Sequence, residues 1–293
     1  MGNRIKAIII LSFLGAGLFY WPFKNAFGQN GQIQKGQIID KKPLNSEQVA
    51  GLYTEATMIF RQAIELAGAN PEKALTLYQR AVMRFERIIK DGGIENGKLY
   101  YNIGNAYFRM NDLGMAILNY LRAERLAPDD ANLQHNLQYA RSKRVDRIEE
   151  EQKIKVLKTL FFWHYDVPSG TRFVIFAIMS ACLWVTASLR LFYPKAFINR
   201  ILISTTILLS LMGGSLVAEK LSIEKTQPGV IISPALTARK GNSKAYEPAF
   251  KEPLHAGTEF VLIEEREDWL NVELPDSRRC WVPKDGALLV ENA

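Results

Sequence analysis

The longest apolar stretches of the chain lie in its second half. Phe173 to Leu189 is 17 residues without a charge and Ile201 to Ala218 is 18. Arg172, Arg190, Arg200 and Glu219 bound them. At 1.5 Å per residue each run spans about 26 Å, slightly less than a ~30 Å hydrocarbon core. Arg172, Arg190 and Arg200 are expected to snorkel to the headgroups and cover the difference. The runs carry Ser and Thr but no polar stripe, which predicts membrane helices over residues 172–192 and 201–218. Two buried helices of a soluble domain are the alternative. The link, residues 193–200, holds Lys195 and Arg200 and no acid. A short basic loop belongs in the cytoplasm. Both large flanking segments then lie together on the far side.

Toward the start, residues 1–28 read as an export signal. Arg4 and Lys6 precede a short apolar core, Pro22 breaks it, and Ala26-Phe27-Gly28 offers small residues for cleavage. An uncleaved anchor is the second reading. Residues 29–44 are Gly/Gln-rich and are expected to form a flexible lead.

From Ser46 the period becomes helical: Tyr53, Ala56, Ile59, Phe60, Ala63 and Leu66 recur at three and four. Gly68-Ala69-Asn70-Pro71 punctuates, with Asn70 placed to cap the next helix and Pro71 at its first position. That helix continues through Ala74, Tyr78, Ala81, Phe85 and Ile88 to Gly92-Gly93.

The segment from Gly97 to Asp130 is more specific. Tyr100, Ile103, Gly104 and Tyr107 lie on a first helix, Ala116, Tyr120 and Ala123 on a second, and Pro128 closes. This spacing resembles a tetratricopeptide (TPR) repeat. Gly104 and Ala116 are small where the two helices must approach, and the aromatics fill the remaining gap. The preceding hairpin fits as a degenerate repeat, on Ala74, Tyr78 and Ala81 or on Ala81, Phe85 and Ile88. Asp129 or Asp130 caps a further helix carrying Leu133, Leu137 and Ala140, so the array covers residues 45–140.

Residues 141–171 are expected to form a basic juxtamembrane segment. Within it Leu157, Leu160, Phe161, Trp163 and Tyr165 lie beside Lys153, Lys155 and Lys158, as in an interfacial helix with an aromatic belt. After a linker over 219–228, residues 229–293 change to short alternating runs. Val230–Ile232, Leu236–Ala238, Glu259–Glu264, Trp269–Leu274, Cys280–Pro283 and Leu288–Val290 predict a small barrel. Ala-Gly-Thr (256–258), Asp-Trp-Leu-Asn-Val (268–272) and Trp-Val-Pro (281–283) resemble bacterial SH3-like domains. Cys280 stands where a Gly commonly precedes the Trp, and 243–253 is a longer loop. The fold class expected is therefore a multidomain membrane protein: all-α TPR repeats, an α-helical transmembrane hairpin and a small all-β SH3-like barrel.

Charge refines this. The formal charge is +7, of which Arg4, Lys6 and Lys24 would leave with the signal. Residues 45–140 hold ten basic and eleven acidic residues, and 229–293 eight and eleven. The excess sits at 141–158, seven basic against four acidic, so the basic pI marks a membrane surface and excludes a nucleic-acid footprint. Cys182 and Cys280 fall in different segments and cannot form a disulfide framework.

An exported leader, a TPR array, a two-span hairpin and an SH3-like barrel, in this order, resemble the BatE-type members of the bacterial aerotolerance (Bat) operon proteins. Tyr-Tyr-Asn-Ile-Gly-Asn-Ala-Tyr (100–107), residues 136–141 and Trp-His-Tyr-Asp-Val-Pro (163–168) carry the likeness most strongly. The resemblance implies an envelope protein, and the signal-like start with the basic loop puts it in the inner membrane with both soluble segments expected to be periplasmic. The resemblance also implies partners among von Willebrand-type membrane proteins and a MoxR-type ATPase.

Motifs for chemistry are missing from the sequence. There is no Cys-x-x-Cys, His-Glu-x-x-His or phosphate loop, and His135, His164 and His255 lie in three segments. No catalytic residue, metal or cofactor is expected, and Cys280 reads as a half-buried strand cysteine. A binding face is better supported. Repeat numbering places Lys98, Tyr101, Asn105, Phe108 and Arg109 on the concave side of the first helix, and the capping helix adds Asn132, His135, Asn136 and Tyr139. TPR grooves bind extended peptides with such a mix: Asn105 is placed to hold a ligand backbone and Arg109 a carboxylate. Ordinary solvated polar residues are the alternative. Two functions follow from these features: a non-enzymatic envelope scaffold docking proteins through the array, or a peptidoglycan-binding anchor acting through the SH3-like domain.

Overall fold

The computed structural model describes residues 43–149, 152–193 and 195–290. The export signal and all but the end of the lead lie outside them. At that end the Leu44 N–H donates to the Asp91 carbonyl at 3.0 Å. The chain divides into two compact units, one holding Ser169–Glu219 and the other Lys42–Pro168 with Lys220–Ala293.

In the larger unit the helices start where local chemistry dictates. α1 (Ser46–Leu66) opens with a capping box, Asn45 and Gln48 each accepting the other's backbone N–H. α2 (Pro71–Gly92) is capped by Asn70, has Pro71 at its first position and ends at Gly93, whose φ of 61° suits glycine. α3 (Gly97–Arg109), α4 (Leu113–Leu126) and α5 (Ala131–Ser142) are capped by Asn96, Asp112 and Asp130. Of the two expected caps for α5, the structure uses Asp130.

The helical core contains both spacings read for the degenerate repeat, since Ala74, Tyr78, Ala81, Phe85 and Ile88 are all buried. In the second hairpin Tyr100, Ile103, Gly104, Ala116, Tyr120 and Ala123 are buried, and Tyr107 partly so. Pro128 is exposed beyond the end of α4. A Cβ on Gly104 would lie 2.6 Å from the Tyr120 ring and 3.2 Å from the Ala116 carbonyl. The small residue is thus required by the aromatic facing it.

The C-terminal strands are β1 (Gln227–Ile231), β2 (Ala235–Leu236), β3 (Leu254–His255), β4 (Glu259–Arg266), β5 (Trp269–Glu273), β6 (Arg279–Pro283) and β7 (Ala287–Leu289). They form a five-stranded antiparallel sheet, order β6-β5-β4-β1-β7, and a separate β2-β3 ribbon. The expected closed barrel is not formed. β2 and β3 are two residues long and pair only with each other, so no ladder joins the β6 and β7 edges. Past the β6 edge the chain makes isolated bridges: Arg239 and Trp281 exchange backbone hydrogen bonds of 2.8 Å, and Arg239 bridges in turn to Pro248.

One compact unit holds both the helices and this sheet, and β1 explains why. Strand side chains alternate between faces. Ile231 enters the sheet core with Phe260, Val272 and Val282, while Val230 joins the helical core with Val290. α4 approaches the backbone of β1 and its exit: a Cβ on Gly114 would stand 2.9 Å from the Ile231 carbonyl oxygen and from Ile232 Cα.

In the other unit, α8 (Ser169–Phe192) and α9 (Ala196–Lys225) extend well beyond the apolar runs. Both are long and apolar enough to cross a membrane, by length and composition. α9 begins within the expected loop and takes up most of the expected linker. Arg172 departs from its expected role: it is 3% exposed and donates to Ser215 Oγ at 2.7 Å and to the Glu219 carboxylate. A guanidinium so held has no freedom to snorkel. Among the described residues α6 (Gln152–Leu160) and the single-turn α7 (Phe162–Tyr165) precede this unit.

Candidate docking groove

Three helices supply the concave face, each through its own spacing. α1 gives Phe60 and Ile64, four apart; α3 gives Asn105, Phe108 and Arg109; α5 gives His135, Asn136 and Tyr139. With Tyr120 they line a cavity of about 500 Å³. Residues three or four apart share a helix face, so the row of each helix points the same way.

A polar network fixes the floor. Tyr120 Oη donates to Asn105 Oδ1 at 2.8 Å, and Asn136 Nδ2 donates to the same oxygen at 2.9 Å. Asn136 Nδ2 also reaches Tyr101 Oη at 3.0 Å. Burial drives the Tyr120 phenol far above the ordinary tyrosine range, so it remains a donor at physiological pH. Two donors orient the Asn105 amide: its carbonyl is used internally and its Nδ2 makes no hydrogen bond among the described residues. Asn105 is thus a strut of the groove as well as a lining residue, a role its sequence position did not reveal.

The walls are aromatic and cationic. Phe108 and Tyr139 pack with ring centroids 5.6 Å apart, and Lys143 Nζ stands 5.0 Å over the Tyr139 ring. Arg109 is exposed and makes no hydrogen bond or ion pair with the described residues. An unpaired guanidinium beside an unpaired amide donor and two rings suits an extended chain with a carboxylate and an apolar side chain.

Of the nine residues expected on this face, six line the cavity together. Tyr101 supports them through Asn136 and packs on Tyr120 at 6.1 Å. Lys98 and Asn132 are exposed and do not line it. Phe60, Ile64 and Tyr120 were not expected to line it. Phe60 and Ile64 were findable by carrying the concave spacing back onto α1; Tyr120 counted only as a repeat-core aromatic.

A larger cavity of about 880 Å³ lies between residues 145–149 and the 249–254 loop. Three of its charged side chains are engaged with neighbours: Arg278 pairs with Asp276 at 2.7 Å and stacks 4.5 Å over Phe250. Asp146 Oδ2 accepts from the His255 N–H and Thr258 Oγ1 at 2.7 and 2.6 Å, while Oδ1 lies 2.7 Å from His255 Nδ1. Burial raises the Asp146 pKa, but these hydrogen bonds outweigh it and hold the carboxyl below its usual value. Nearby, Glu259 accepts from Arg141 through both oxygens and from Arg144. Together these contacts clamp the segment after α5 to the sheet. Cys280 is fully buried, deeper than expected, and burial pushes its thiol up to about 12. Such a thiol is not a nucleophile at neutral pH.

Residues 97–130 match the family model described as tetratricopeptide repeat, the same segment whose helices α3 and α4 form the groove's second hairpin. No curated protein and no solved structure matches the chain. A TPR repeat suggests a scaffold for protein–protein interaction, and the chain carries one together with two helices apolar enough to span a membrane.

Proposed function

We propose that this protein is a non-enzymatic membrane scaffold. Its groove docks an extended segment of a partner protein that presents a carboxylate to Arg109 and an apolar side chain to Phe108 and Tyr139. The observation that carries this reading is the unpaired Arg109 guanidinium beside the oriented Asn105 amide. The resemblance to BatE-type proteins supplies the partner class: von Willebrand-type membrane proteins and a MoxR-type ATPase. It also supplies the setting, the cell envelope, and we read the array and sheet as lying outside the cytoplasm. The basic 193–200 loop and the signal-like start agree with that topology. The alternative is a peptidoglycan-binding anchor acting through residues 229–293, whose main strands form an open sheet.

Photo-crosslinking in native membranes tests the docking. A crosslinker at Phe108 or Tyr139 should yield one dominant protein adduct, and one at Met83, exposed on α2, should not. Equal adducts from all three positions would remove the groove from consideration.

A further inference from the structure

The segment between the clamp and α8 presents an apolar face that the described fold leaves uncovered. On α6, Val156, Leu157 and Leu160 are exposed, as is Phe161 just beyond it, at between 43% and 61%. At about 100° per residue these four positions fall within an arc of about 140°. Lys158 and Thr159 fall on the other side. Scattered exposed apolar residues need no explanation, but three on one face of a nine-residue helix, continued by Phe161 just beyond it, do. Phe162 and Tyr165 add exposed aromatics on α7, where Trp163 packs edge-on against Phe161 and Phe162 at 5.3 and 5.6 Å.

We infer that this face is a lipid-surface contact: α6 lies in the plane of the membrane interface, with Val156, Leu157, Leu160 and Phe161 at the headgroup–acyl boundary. The inference rests on the reading of α8 as a membrane span. Nine residues, about 13.5 Å of helix, are too few to cross a bilayer, so the helix can only lie along it. Chain continuity selects lipid over protein as the occupant. Tyr165 is four residues from Ser169, the first residue of α8, so at most about 14 Å of chain separates them. A tether that short holds the face at a high effective concentration of bilayer surface, which no free protein partner matches. Trp and Tyr are the side chains that favour the interface, with an apolar body and a polar tip. A helix this short is marginal alone in water, so burial of its apolar face stabilises it where it lies.

The full-length protein in lipid nanodiscs provides the test. In a Cys182→Ala background the buried, high-pKa Cys280 does not compete for labelling. Bimane is then placed on single cysteines at Leu160, Thr159 and Ile178, the last an exposed apolar position of α8, and quenched with phospholipids brominated near the headgroup or along the chain. The inference expects headgroup-brominated lipid to quench position 160 at least threefold more than 159, and chain-brominated lipid to quench 178. Equal quenching at 159 and 160, high or low, with 178 quenched, overturns the inference and leaves the span reading standing. No quenching at 178 overturns the span reading and the inference with it.

Discussion

The second hairpin has two faces, and they are built differently. The front, from α3 with α5 and α1, is open: its side chains form a hydrogen-bonded floor around Asn105, and Arg109 is left unpaired. The back, on α4, is closed by the chain's own sheet. There Gly114 brings the α4 backbone against that of Ile231 and Ile232, and Gly257, with φ 91°, lets the chain approach the Ile117 and Leu113 side chains. Arg122 completes the back by donating to the Leu289 and Val290 carbonyls. A surface meant to stay shut removes a side chain at each close approach and brings the chain in tightly. A surface meant to exchange partners keeps oriented donors and aromatic walls. The sheet therefore acts as a permanent cover of the array's back and leaves docking to the front.

The largest effect should come from forcing the back open. Gly114→Leu places a branched side chain where a single Cβ already stands 2.9 Å from the Ile231 carbonyl oxygen and from Ile232 Cα. Backbone cannot swing aside as a side chain can, so the cost should reach about 3 kcal/mol, the upper end for overpacking. Thermal unfolding of the purified full-length protein in detergent should show a drop of several degrees. An unchanged midpoint would mean that the sheet is not seated on α4 in solution.

A smaller loss should follow from cutting the clamp. Asp146→Ala leaves the His255 N–H and the Thr258 hydroxyl without their acceptor, and loss of a hydrogen-bonded carboxylate costs about 2 kcal/mol. The pH dependence has a definite sign. The folded pKa of Asp146 lies below its unfolded value, so its contribution is fully present above about pH 4. It is lost as pH falls through the folded pKa. Stability measured from pH 5 downward should therefore fall more steeply in the wild type than in Asp146→Ala. Parallel curves would show that the clamp is not formed.

The sequence revealed these faces unequally, for a physical reason. Caps at Asn70 and at Asp129 or Asp130 are local chemistry, and the need for a small residue at Gly104 is local to one hairpin, so both were legible. The concave row of α3 followed from the repeat numbering that its helical spacing supports. The role of Gly114 was not legible, because the Ile231 backbone it meets is more than a hundred residues away. Asn105 was recognised as a lining residue but not as a strut, since its two donors come from α4 and α5. Barrel closure failed for a similar reason. Alternation identifies strands, but the pairing of β2 and β3 depends on the lengths of two strands and the loop between them. Arg172 was read from its flanking position, while its partners Ser215 and Glu219 sit on the next helix.

The finest test separates two residues of the front that differ in what they do for the fold. Asn105→Ala removes the acceptor shared by Tyr120 Oη and Asn136 Nδ2, so it should cost about 1–2 kcal/mol and reduce partner capture. Arg109→Ala removes a side chain with no partner among the described residues, so stability should change by about 0.5 kcal/mol or less. Its effect on capture should be as large as that of Asn105→Ala, because a carboxylate then faces the groove without its cation. Arg109→Lys should recover only part of the loss, since an ammonium keeps the charge but not the planar fork. Unfolding midpoints give the first quantity, and co-purification from membranes the second. If Arg109→Ala leaves both unchanged, the open front is an ordinary solvated helix face, and its difference from the closed back lies in packing alone.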